Sequence, residues 1–244
     1  FDTSEVDTDK TLPPSRDIDD GNEGDNYSVT FSNVDTGEIE ERTLTVSGLS
    51  VEDKVYDGTT DATLDTTGHV LENTVCSEDV ALDAGSYAAD FDNKNVGTGK
   101  PVTVTGLALS GTDAGNYTLT QPTGLTGTIS SKELTLSGLE AQDKNYDGST
   151  DATIGTPTLV GVIAPDDVTL AGTAVGTFEQ ACPDDDLEVT VSGLSLSGTD
   201  KDNYYLTLPE LSASITLDAV TVDLELQRGW NMVSVPIDPD NPST

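Results

Sequence analysis

Residues 51–64 read VEDKVYDGTTDATL, and residues 141–154 read AQDKNYDGSTDATI, so one motif recurs after 90 residues without a gap. Downstream, VTVTGLALSGTDAGNYTLT at 102–120 is matched by VTVSGLSLSGTDKDNYYLT at 189–207, with an offset of 87. Upstream, DNYSVT at 25–30 matches the end of the first of these segments at an offset of 90. Self-similarity at a fixed period indicates a tandem array of structural units.

These repeats divide the chain into four parts. Residues 1–42 correspond to the end of a unit whose front half is missing, and two full units follow at 43–132 and 133–219. Residues 220–244 form a C-terminal segment that begins with a strand-like run. Because the chain starts at Phe1 rather than at a methionine, we expect a mature chain or a piece of a longer protein.

Each full unit is predicted to be an all-β, immunoglobulin-like sandwich of about 90 residues. Short runs alternate apolar and polar residues, as at Leu44–Val46, Val102–Val104 and Val189–Val191, and clusters of Gly, Asp and Asn separate them. Only 34% of the residues are hydrophobic and 5% aromatic, which predicts a thin core in each unit. We therefore expect contacts between consecutive units to stabilise the array.

The charge balance excludes several classes of partner. With 45 acidic and 10 basic side chains, the 244-residue chain has a formal charge of −35. Nucleic acid is excluded because phosphate binding requires a basic surface, and an anionic membrane surface would repel the chain. No apolar run approaches the ~18 residues needed for direct membrane insertion. With His69 as the lone histidine and no phosphate-binding glycine loop, the sequence predicts no enzymatic activity and no required cofactor.

Two motifs recur in order in both full units. The first is Asp-Lys-x-Tyr-Asp-Gly-[Ser/Thr]-Thr-Asp-Ala-Thr, and the second is Ser-Gly-Thr-Asp-x-x-Asn-Tyr. Together they resemble the YDG domain, a family of tandem β-sandwich modules in bacterial and archaeal surface proteins and large adhesins. The resemblance covers roughly residues 16–217 and implies an extracellular structural or adhesive role without catalytic residues. The second unit departs from the pattern in its middle loop, where residues 180–186 read QACPDDD in place of NKNVGTGK at 93–100.

The first of these motifs is expected to be structural. Asp57-Gly58 predicts a turn in which the glycine takes a positive φ. Tyr56 is expected to bury its ring and keep its hydroxyl for a partner, and Lys54 to pair with a nearby aspartate. An isopeptide bond from the lysine to an asparagine is the alternative. The same expectations hold in the second unit for Lys144, Tyr146, Asp147 and Gly148.

Calcium is the ligand that the acidic clusters favour, since a hard cation binds grouped carboxylate and carbonyl oxygens. The run Asp17-x-Asp19-x-Gly21 falls short of the EF-hand spacing. The alternative is that these charges are solvated and keep an extracellular protein soluble. The candidate ligands are Asp17, Asp19, Asp20, Glu23 and Asp25, then Asp184, Asp185 and Asp186, and finally Asp200 and Asp202.

The two cysteines occupy non-equivalent positions, because Cys76 aligns with Ala164 and Cys182 aligns with Asn95. Neither unit therefore has a disulfide of its own. The two cysteines either pair with each other, between units or between chains, or remain free buried thiols, and the sequence leaves both readings open.

Asn26-Tyr27-Ser28 and Asn116-Tyr117-Thr118 are sequons for N-glycosylation. The third copy reads Asn203-Tyr204-Tyr205 and lacks the acceptor. Because the Asn-Tyr pair persists in all three copies, we expect its main role to be structural, at the start of a strand. Glycosylation of Asn26 and Asn116 is the alternative.

The C-terminal segment is predicted to take part in assembly. Its run 220–226 aligns with the first strand of a unit at 134–136, so the segment begins a unit without finishing one, whereas residues 1–42 end one. One chain would then complete the partial unit of the next by strand addition and build an open head-to-tail filament. Trp230 lies in a Gly-Trp-Asn run similar to one found where β-modules begin in prokaryotic surface proteins. The predicted assembly residues are Val220, Val222, Leu224, Leu226 and Trp230.

The sequence therefore favours a cell-surface filament subunit whose partners are copies of itself. Two alternatives stay open. In one, the chain is cut from the multi-repeat stalk of a large adhesin that presents a binding tip. In the other, the loops of the chain bind a glycan or protein receptor, which would require an exposed aromatic cluster. The sparse tyrosine and tryptophan content disfavours this last reading.

Overall fold

The protein is described by a computed structural model that covers residues 3–14, 30, 32 and 34–218. These residues form strands joined by turns, with short 3-10 helices at Ala114–Asn116 and Lys201–Asn203. The predicted all-β class is confirmed, and the sheets agree with tandem β-sandwich modules of the predicted size.

The N-terminal residues form a pair of antiparallel strands that is repeated twice further along the chain. Strands β1 (Asp7–Leu12) and β2 (Val34–Ile39) pair antiparallel, with Asp7 opposite Ile39, Lys10 opposite Gly37 and a register shift between the two pairs. Equivalent pairs with the same shift recur in both full modules. In the first module Gly97 lies opposite Ile129 and Lys100 opposite Gly127. In the second module Asp184 lies opposite Ile215 and Leu187 opposite Ala213. The internal repeat seen in the sequence is therefore a repeat of strand register.

The first full module brings its first strands beside its last ones. Its strands are β3 (Arg42–Ser47), β4 (Ser50–Val51), β5 (Lys54–Val55), β6 (Leu64–Asp65), β7 (Val70–Glu72), β8 (Ala81–Asp83), β9 (Ala88–Phe91), β10 (Gly97–Thr105), β11 (Ala108–Ser110), β12 (Tyr117–Thr120) and β13 (Thr126–Ser130). β3 lies between the parallel β12 and the antiparallel β7, and β5 runs parallel to β13 in a sheet of order β5-β13-β10-β9. β4 pairs with β6, and β8 pairs with β11.

The second full module repeats this plan. Its strands are β14 (Lys132–Ser137), β15 (Lys144–Asn145), β16 (Asp151–Ala152), β17 (Thr158–Val160), β18 (Thr169–Phe178), β19 (Asp184–Ser197), β20 (Tyr204–Leu206) and β21 (Leu211–Thr216). β14 lies between the parallel β20 and the antiparallel β17. β15 runs parallel to β21 in a sheet of order β15-β21-β19-β18-β16.

The compact units of the structure do not coincide with the sequence modules. The first unit combines the described part of Phe1–Ser137 with Pro157–Thr173 and Leu194–Pro209. The second combines Gly138–Thr156, Ala174–Gly193 and the described part of Glu210–Thr244. The strands β18 and β19 thus contribute residues to both units, and one half of the second module folds together with the first module.

A shared hydrophobic core explains why the first unit contains residues of both modules. Tyr56, Phe91 and Ile129 come from the first module, and Leu134 and Tyr204 come from the second. Fully burying an apolar side chain of this size stabilises the fold by roughly 1.5–3 kcal/mol. The contacts that we expected between consecutive modules are therefore part of the core itself.

The second unit has a core of its own. Phe178 from β18 packs with Leu187 and Val189 from β19 and with Ala213 and Ile215 from β21. These residues alternate with exposed ones along their strands, as the period of two in a half-buried sheet requires. The alternating Thr and Val runs of the sequence are thus the inward and outward faces of these strands.

The Ser-Gly-Thr-Asp motif forms a tight crossing of two loops. In the first module, the backbone N of Asp79 donates to Oδ2 of Asp113 at 2.7 Å, and the backbone N of Asp113 donates to the Asp79 carbonyl at 3.1 Å. Gly111 has a φ of 110°, and a Cβ added there would lie 2.2 Å from the Asp79 carbonyl oxygen. At Gly198 in the second module, the added Cβ would lie 2.1 Å from the Asp167 carbonyl oxygen. Both positions therefore require glycine, because a Cβ would clash with the facing backbone carbonyl and because φ is positive.

Gly111→Ala is expected to lower the free energy of unfolding by about 3 kcal/mol, since it combines an unfavourable φ with a backbone clash. Gly115→Ala is the matched control, because a Cβ added at Gly115 meets nothing within 4 Å, and its effect should stay within about 0.5 kcal/mol. Urea unfolding followed by circular dichroism measures both. Equal losses in the two variants would contradict this role for the glycine.

Candidate functional site

A buried carboxylate lies where the two modules meet. Asp166 belongs to the loop between β17 and β18, and its side chain is 1% exposed. The hydroxyls of Tyr56, which follows β5, and Tyr204, which begins β20, donate to Asp166 Oδ2 at 2.7 and 2.6 Å. Lys94 Nζ, from the loop between β9 and β10, lies 2.5 Å from Asp166 Oδ1. We call these four residues the carboxylate clamp, and two of them, Tyr56 and Lys94, come from the first module.

The clamp is also an aromatic contact. The rings of Tyr56 and Tyr204 pack edge to face, with their centroids 5.3 Å apart and an interplanar angle of 73°. Lys94 Nζ lies 5.8 Å from the centroid of the Tyr56 ring. An aromatic pair of this kind stabilises a fold by about 0.5–1.5 kcal/mol beyond the contribution of the apolar area that it buries. The Tyr204 hydroxyl also accepts a hydrogen bond from the backbone N of Ile163 at 3.2 Å, so it is both donor and acceptor.

The residue before Tyr204 forms a second contact between the modules. Asn203 is buried, its Oδ1 accepts a hydrogen bond from the backbone N of Val96 at 2.9 Å, and its Nδ2 donates to Asn95 Oδ1 at 3.3 Å. A buried amide must have such partners, because an unpaired one would cost about 1–3 kcal/mol. The Asn-Tyr pair thus stands at the start of a strand, as the sequence predicted, and holds one module against the other.

The electrostatics of the clamp follow from burial and hydrogen bonding. Burial raises the pKa of Asp166, but hydrogen bonds from Lys94, Tyr204 and Tyr56 outweigh it, so the pKa lies below its usual value. Burial and the hydrogen bond to Asp166 raise the pKa of Tyr204 to about 12 and also raise the pKa of Tyr56. The hydrogen bond to Asp166 is the main cause of the raised pKa of Lys94. Near neutral pH the carboxylate is ionised and both tyrosines are protonated.

A smaller version of the clamp lies at the other end of the first module. Glu78 aligns with Asp166 and accepts a hydrogen bond from the Tyr117 hydroxyl. The backbone N of Val75 donates to the same hydroxyl at 3.2 Å, as Ile163 does to Tyr204. The Glu78–Tyr117 pair therefore reproduces the half of the clamp that a single module supplies.

The strand pair β1–β2 meets this end of the first module through the same amide contact. Asn116 Oδ1 accepts a hydrogen bond from the backbone N of Val6 at 2.9 Å, which matches the bond between Asn203 and Val96. Ser4 stands at the position of Lys94 in the repeat, so this junction is built without the lysine of the clamp.

Tyr146 differs from its counterpart in the first module. The prediction that its ring is buried is wrong, because Tyr146 is 50% exposed whereas Tyr56 is 1% exposed. The local backbone is the same, since the N of Tyr146 donates to the Thr216 carbonyl and the N of Tyr56 to the Ser130 carbonyl, both at 2.8 Å. What buries Tyr56 is the carboxylate and tyrosine of the following module. Burial of this tyrosine therefore depends on a partner module and not on its own module.

Lys54 holds the turn of the first motif together. Its Nζ lies 2.9 Å from Asp57 Oδ1 and donates to the carbonyls of Thr59 at 3.1 Å and Asp61 at 2.8 Å. Asp57 Oδ1 also accepts a hydrogen bond from the backbone N of Thr59 at 2.9 Å, and Gly58 has a φ of 81°. The predicted turn and the predicted lysine–aspartate pairing are both present.

The second module repeats these contacts. Lys144 Nζ lies 2.9 Å from Asp147 Oδ1, 2.8 Å from the Ser149 carbonyl and 3.0 Å from the Asp151 carbonyl. It also lies 5.6 Å from the centroid of the Phe178 ring. The hydrogen bond from Lys144 is the main cause that lowers the pKa of Asp147 to about 2. The motif lysine is thus an internal tie of each module and is fully occupied there.

The predicted calcium ligands are not grouped in the described part of the chain. Asp184, Asp185 and Asp186 are exposed where β19 begins, Asp200 Oδ2 accepts from the Asp167 backbone N, and Asp202 pairs with a neighbouring lysine. Within the described residues, no set of three or more His, Cys, Asp or Glu side chains is placed to hold a metal ion. The other candidates lie outside the described residues: Asp17, Asp19, Asp20, Glu23 and Asp25. Calcium binding therefore stays a prediction.

The remaining predicted sites are partly described. Cys76 and Cys182 are free and exposed, so the burial that we considered for free thiols is wrong, whereas their pairing between chains stays a prediction. Asn116 is half-buried and engaged with Val6, whereas Asn26 lies outside the described residues. The predicted assembly residues also lie outside them: Val220, Val222, Leu224, Leu226 and Trp230.

Sequence reasoning missed the acid of the clamp. Asp166 is one of 45 acidic residues and carries no motif of its own, so the sequence does not single it out. A weak signal exists, since Glu78-Asp79-Val80 and Asp166-Asp167-Val168 match at an offset of 88, between the two stronger motifs. Lys94 lies in a loop whose sequence differs between the two modules, so the repeat does not point to it either.

The chemistry of the clamp is that of a structural tie. Both oxygens of Asp166 accept hydrogen bonds, and the proton donors are a lysine and two tyrosines whose pKa values are raised. A carboxylate that is enclosed and fully hydrogen-bonded holds its neighbours in place. The arrangement therefore supports binding between modules.

Comparison with known proteins agrees with this picture. A family model described as the YDG domain matches residues 40–124 and, a second time, residues 130–213, which together are more than half of the chain. Neither a curated protein nor a solved structure is significantly similar to the chain. Among the described residues, no helix has both the length and the apolar character needed to cross a membrane.

Asp166→Asn is expected to lower the free energy of unfolding by about 2 kcal/mol, because Lys94 loses its nearer carboxylate while remaining only partly exposed and keeps only Asp200 at 3.8 Å. The folded pKa of Asp166 is depressed, so its contribution is present above about pH 4 and is lost as the pH falls through the folded pKa. Melting temperatures of the wild type and the variant should therefore converge in acid. Glu78→Gln, at the aligned position, is the control and should lose less. A pH-independent difference for Asp166→Asn would contradict the ionic role.

Lys54→Met is expected to cost about 1–2 kcal/mol, since the backbone carbonyls of the turn lose a charged donor. Lys201→Met is the matched control, because its ion pair with Asp202 is mostly exposed and should contribute under about 0.5 kcal/mol. Thermal unfolding of both variants gives the comparison. A loss for Lys54→Met no larger than that of the control would show that the motif lysine is not an internal tie.

Proposed function

Because the chain belongs to the YDG-domain family, with two tandem copies of the domain, we propose that it is a non-enzymatic structural protein of the cell surface. In this proposal it is a subunit of an extracellular filament that assembles head to tail through β-strand addition. The observation that carries the proposal is the carboxylate clamp, because consecutive modules share a core instead of being joined by a flexible linker.

The described part of the partial module supports strand addition. β1 and β2 form a two-stranded sheet, whereas their counterparts β10 and β13 are flanked by β9 and β5 in a four-stranded sheet. Within the described residues, β1 and β2 thus each keep an edge that is paired in the full module. Unpaired edges accept strands from other chains. The proposed donor is the C-terminal run 220–226, which aligns with β14. Because β3 and β14 pair with β12 and β20, we propose that the donor pairs with residues 27–30, which align with β12, and completes the partial module beside the sheet of β1 and β2.

The charge of the chain makes assembly dependent on salt. Identical subunits with a formal charge of −35 repel one another, and a contact between strands has to overcome that repulsion. Screening shortens the range of the repulsion to about 8 Å at physiological ionic strength. We therefore propose that ionic strength, and calcium where it binds, controls filament formation.

Electron microscopy of the purified chain across a series of NaCl and CaCl2 concentrations tests this proposal. Filaments are expected to appear as ionic strength rises. Val220→Lys should abolish them, because its aligned residue Leu134 is buried, whereas Thr221→Lys should not, because the aligned Thr135 is exposed. The two variants change the net charge equally.

A different outcome would favour another role. A chain that stays monomeric at every ionic strength, and that binds components of a glycan array, would indicate the stalk of an adhesin with a receptor-binding surface. Loss of filaments in both lysine variants alike would show that added charge at either position is enough to disrupt assembly, and would remove the support for strand addition.

A further inference from the structure

Lys100, in β10 of the first module, lies against a carboxamide and a carboxylate at once. The residue is 8% exposed, and a Cβ added at Gly97 would lie 3.4 Å from its Cγ and Cδ, so the lysine stem packs on the glycine. Its Nζ donates to Oδ1 of Asn93 at 2.8 Å and lies 2.9 Å from Oδ1 of Asp92. A buried amine is therefore held next to the acyl carbon of Asn93, with an anionic group beside it.

The contacts of the carboxamide are those that an exchange of its nitrogen needs. The backbone N of Asn95 donates to Asn93 Oδ1 at 3.0 Å, and this oxygen gains negative charge when a nucleophile adds to Cγ. Nδ2 of Asn93 donates to Oδ2 of Asp92 at 2.9 Å. The hydrogen bond from Lys100 is the main cause that lowers the pKa of Asp92, so its carboxylate is ionised near neutral pH. Asp92 thus contacts both the attacking and the leaving nitrogen and is able to carry a proton between them.

We propose that Lys100 and Asn93 of the folded chain join in an intramolecular isopeptide bond. Asp92 takes a proton from the lysine ammonium, and the neutral amine adds to Cγ of Asn93. The Nζ–Cγ bond forms, Asp92 returns the proton to Nδ2, and the Cγ–Nδ2 bond breaks to release ammonia, which takes up the proton that the new amide nitrogen sheds. An ammonium and a carboxamide become a secondary amide and an ammonium ion, so nothing is oxidised or reduced and no co-reactant is needed.

The other copies of the repeat each lack one of the reacting groups. In the partial module, Lys10 is buried at the position of Lys100, but its Nζ donates to the hydroxyl of Thr3, which stands at the position of Asn93 and offers no acyl carbon. In the second module, Leu187 stands at the position of Lys100 and offers no amine. The bond is therefore specific to the first module.

The bond closes the loop that docks the first module on the second. Lys94, Asn95 and Val96 lie between the two joined residues. Lys94 contacts Asp166, and the backbone N of Val96 donates to the side chain of Asn203. A covalent tie across the loop removes conformations that the open loop can adopt, so its residues lose less entropy when they dock. The inference requires neither strand addition nor filaments, and its test is independent of the proposed function.

Mass spectrometry of the purified chain, kept folded at neutral pH until its mass is constant, tests this inference. The intact mass is expected to be lower than the mass of the sequence by one ammonia. Trypsin cleaves after Lys94 but not after Lys100, because Pro101 follows it. After denaturation and digestion, the peptide that ends at Lys94 should therefore remain joined to the peptide that begins at Asn95. An intact mass equal to that of the sequence, or release of the two peptides as separate species, overturns the inference.

Three variants distinguish this bond from other losses of ammonia. Lys100→Arg keeps a positive charge beside Asp92 but offers no lysine amine, so its mass should equal that of its sequence. A loss that persists in Lys100→Arg would indicate cyclisation of an asparagine on the backbone instead, and would overturn the inference. Asp92→Asn removes the proton carrier and should slow the loss by about 100-fold or more. Lys10→Arg, at the aligned buried lysine, is the matched control and should lose ammonia as the wild type does.

The role of the bond in docking has a readout of its own. The backbone amide of Val96, which donates to Asn203, is expected to exchange with deuterium several-fold faster in Lys100→Arg than in the wild type. The backbone amide of Ile163, which donates to the Tyr204 hydroxyl from outside the closed loop, is the internal control and should change less. Equal exchange of Val96 in the two proteins would overturn this role.

Discussion

A carboxylate removed from water is stable only when its oxygens are engaged, and the fold of the first compact unit depends on meeting that condition at Asp166. Lys94 and Tyr56 from one module and Tyr204 from the next supply the hydrogen bonds. Because the donors belong to both modules, the acid cannot be satisfied by either module alone. The interaction therefore fixes the relative position of the two within this unit, and the shared apolar core around Ile129 and Leu134 packs about it.

The sequence predicts more of the fold than of the site. The repeat, the alternating strands and the Asp57-Gly58 turn follow from local pattern, and the pairing of Lys54 with Asp57 follows from a spacing of three residues. The clamp joins residues far apart in the chain, so no local pattern announces it. Tyr146 shows the same limit. Its motif is intact, but burial of the motif tyrosine requires contacts from another module, which the motif does not encode.

The few basic side chains of this acidic protein are concentrated where turns and loops are held together. In the described residues, Lys54 and Lys144 close the two motif turns, Lys94 serves the clamp, and Lys100 is buried beside Asp92. Each neutralises an acid that is held in place by the fold, and such partly buried pairs matter more than exposed ones. Most of the remaining acids are left on the surface, which explains how the chain tolerates so large a net charge.

The parallel pairing of early with late strands has a mechanical consequence. β5 runs parallel to β13 in the first module, and β15 runs parallel to β21 in the second. When tension pulls a module by its two ends, neighbouring parallel strands slide past each other along their length, so their hydrogen bonds share the load and must break together. An antiparallel pair pulled at its open end instead unzips one bond at a time. Each module is thus arranged to resist being stretched from its two ends.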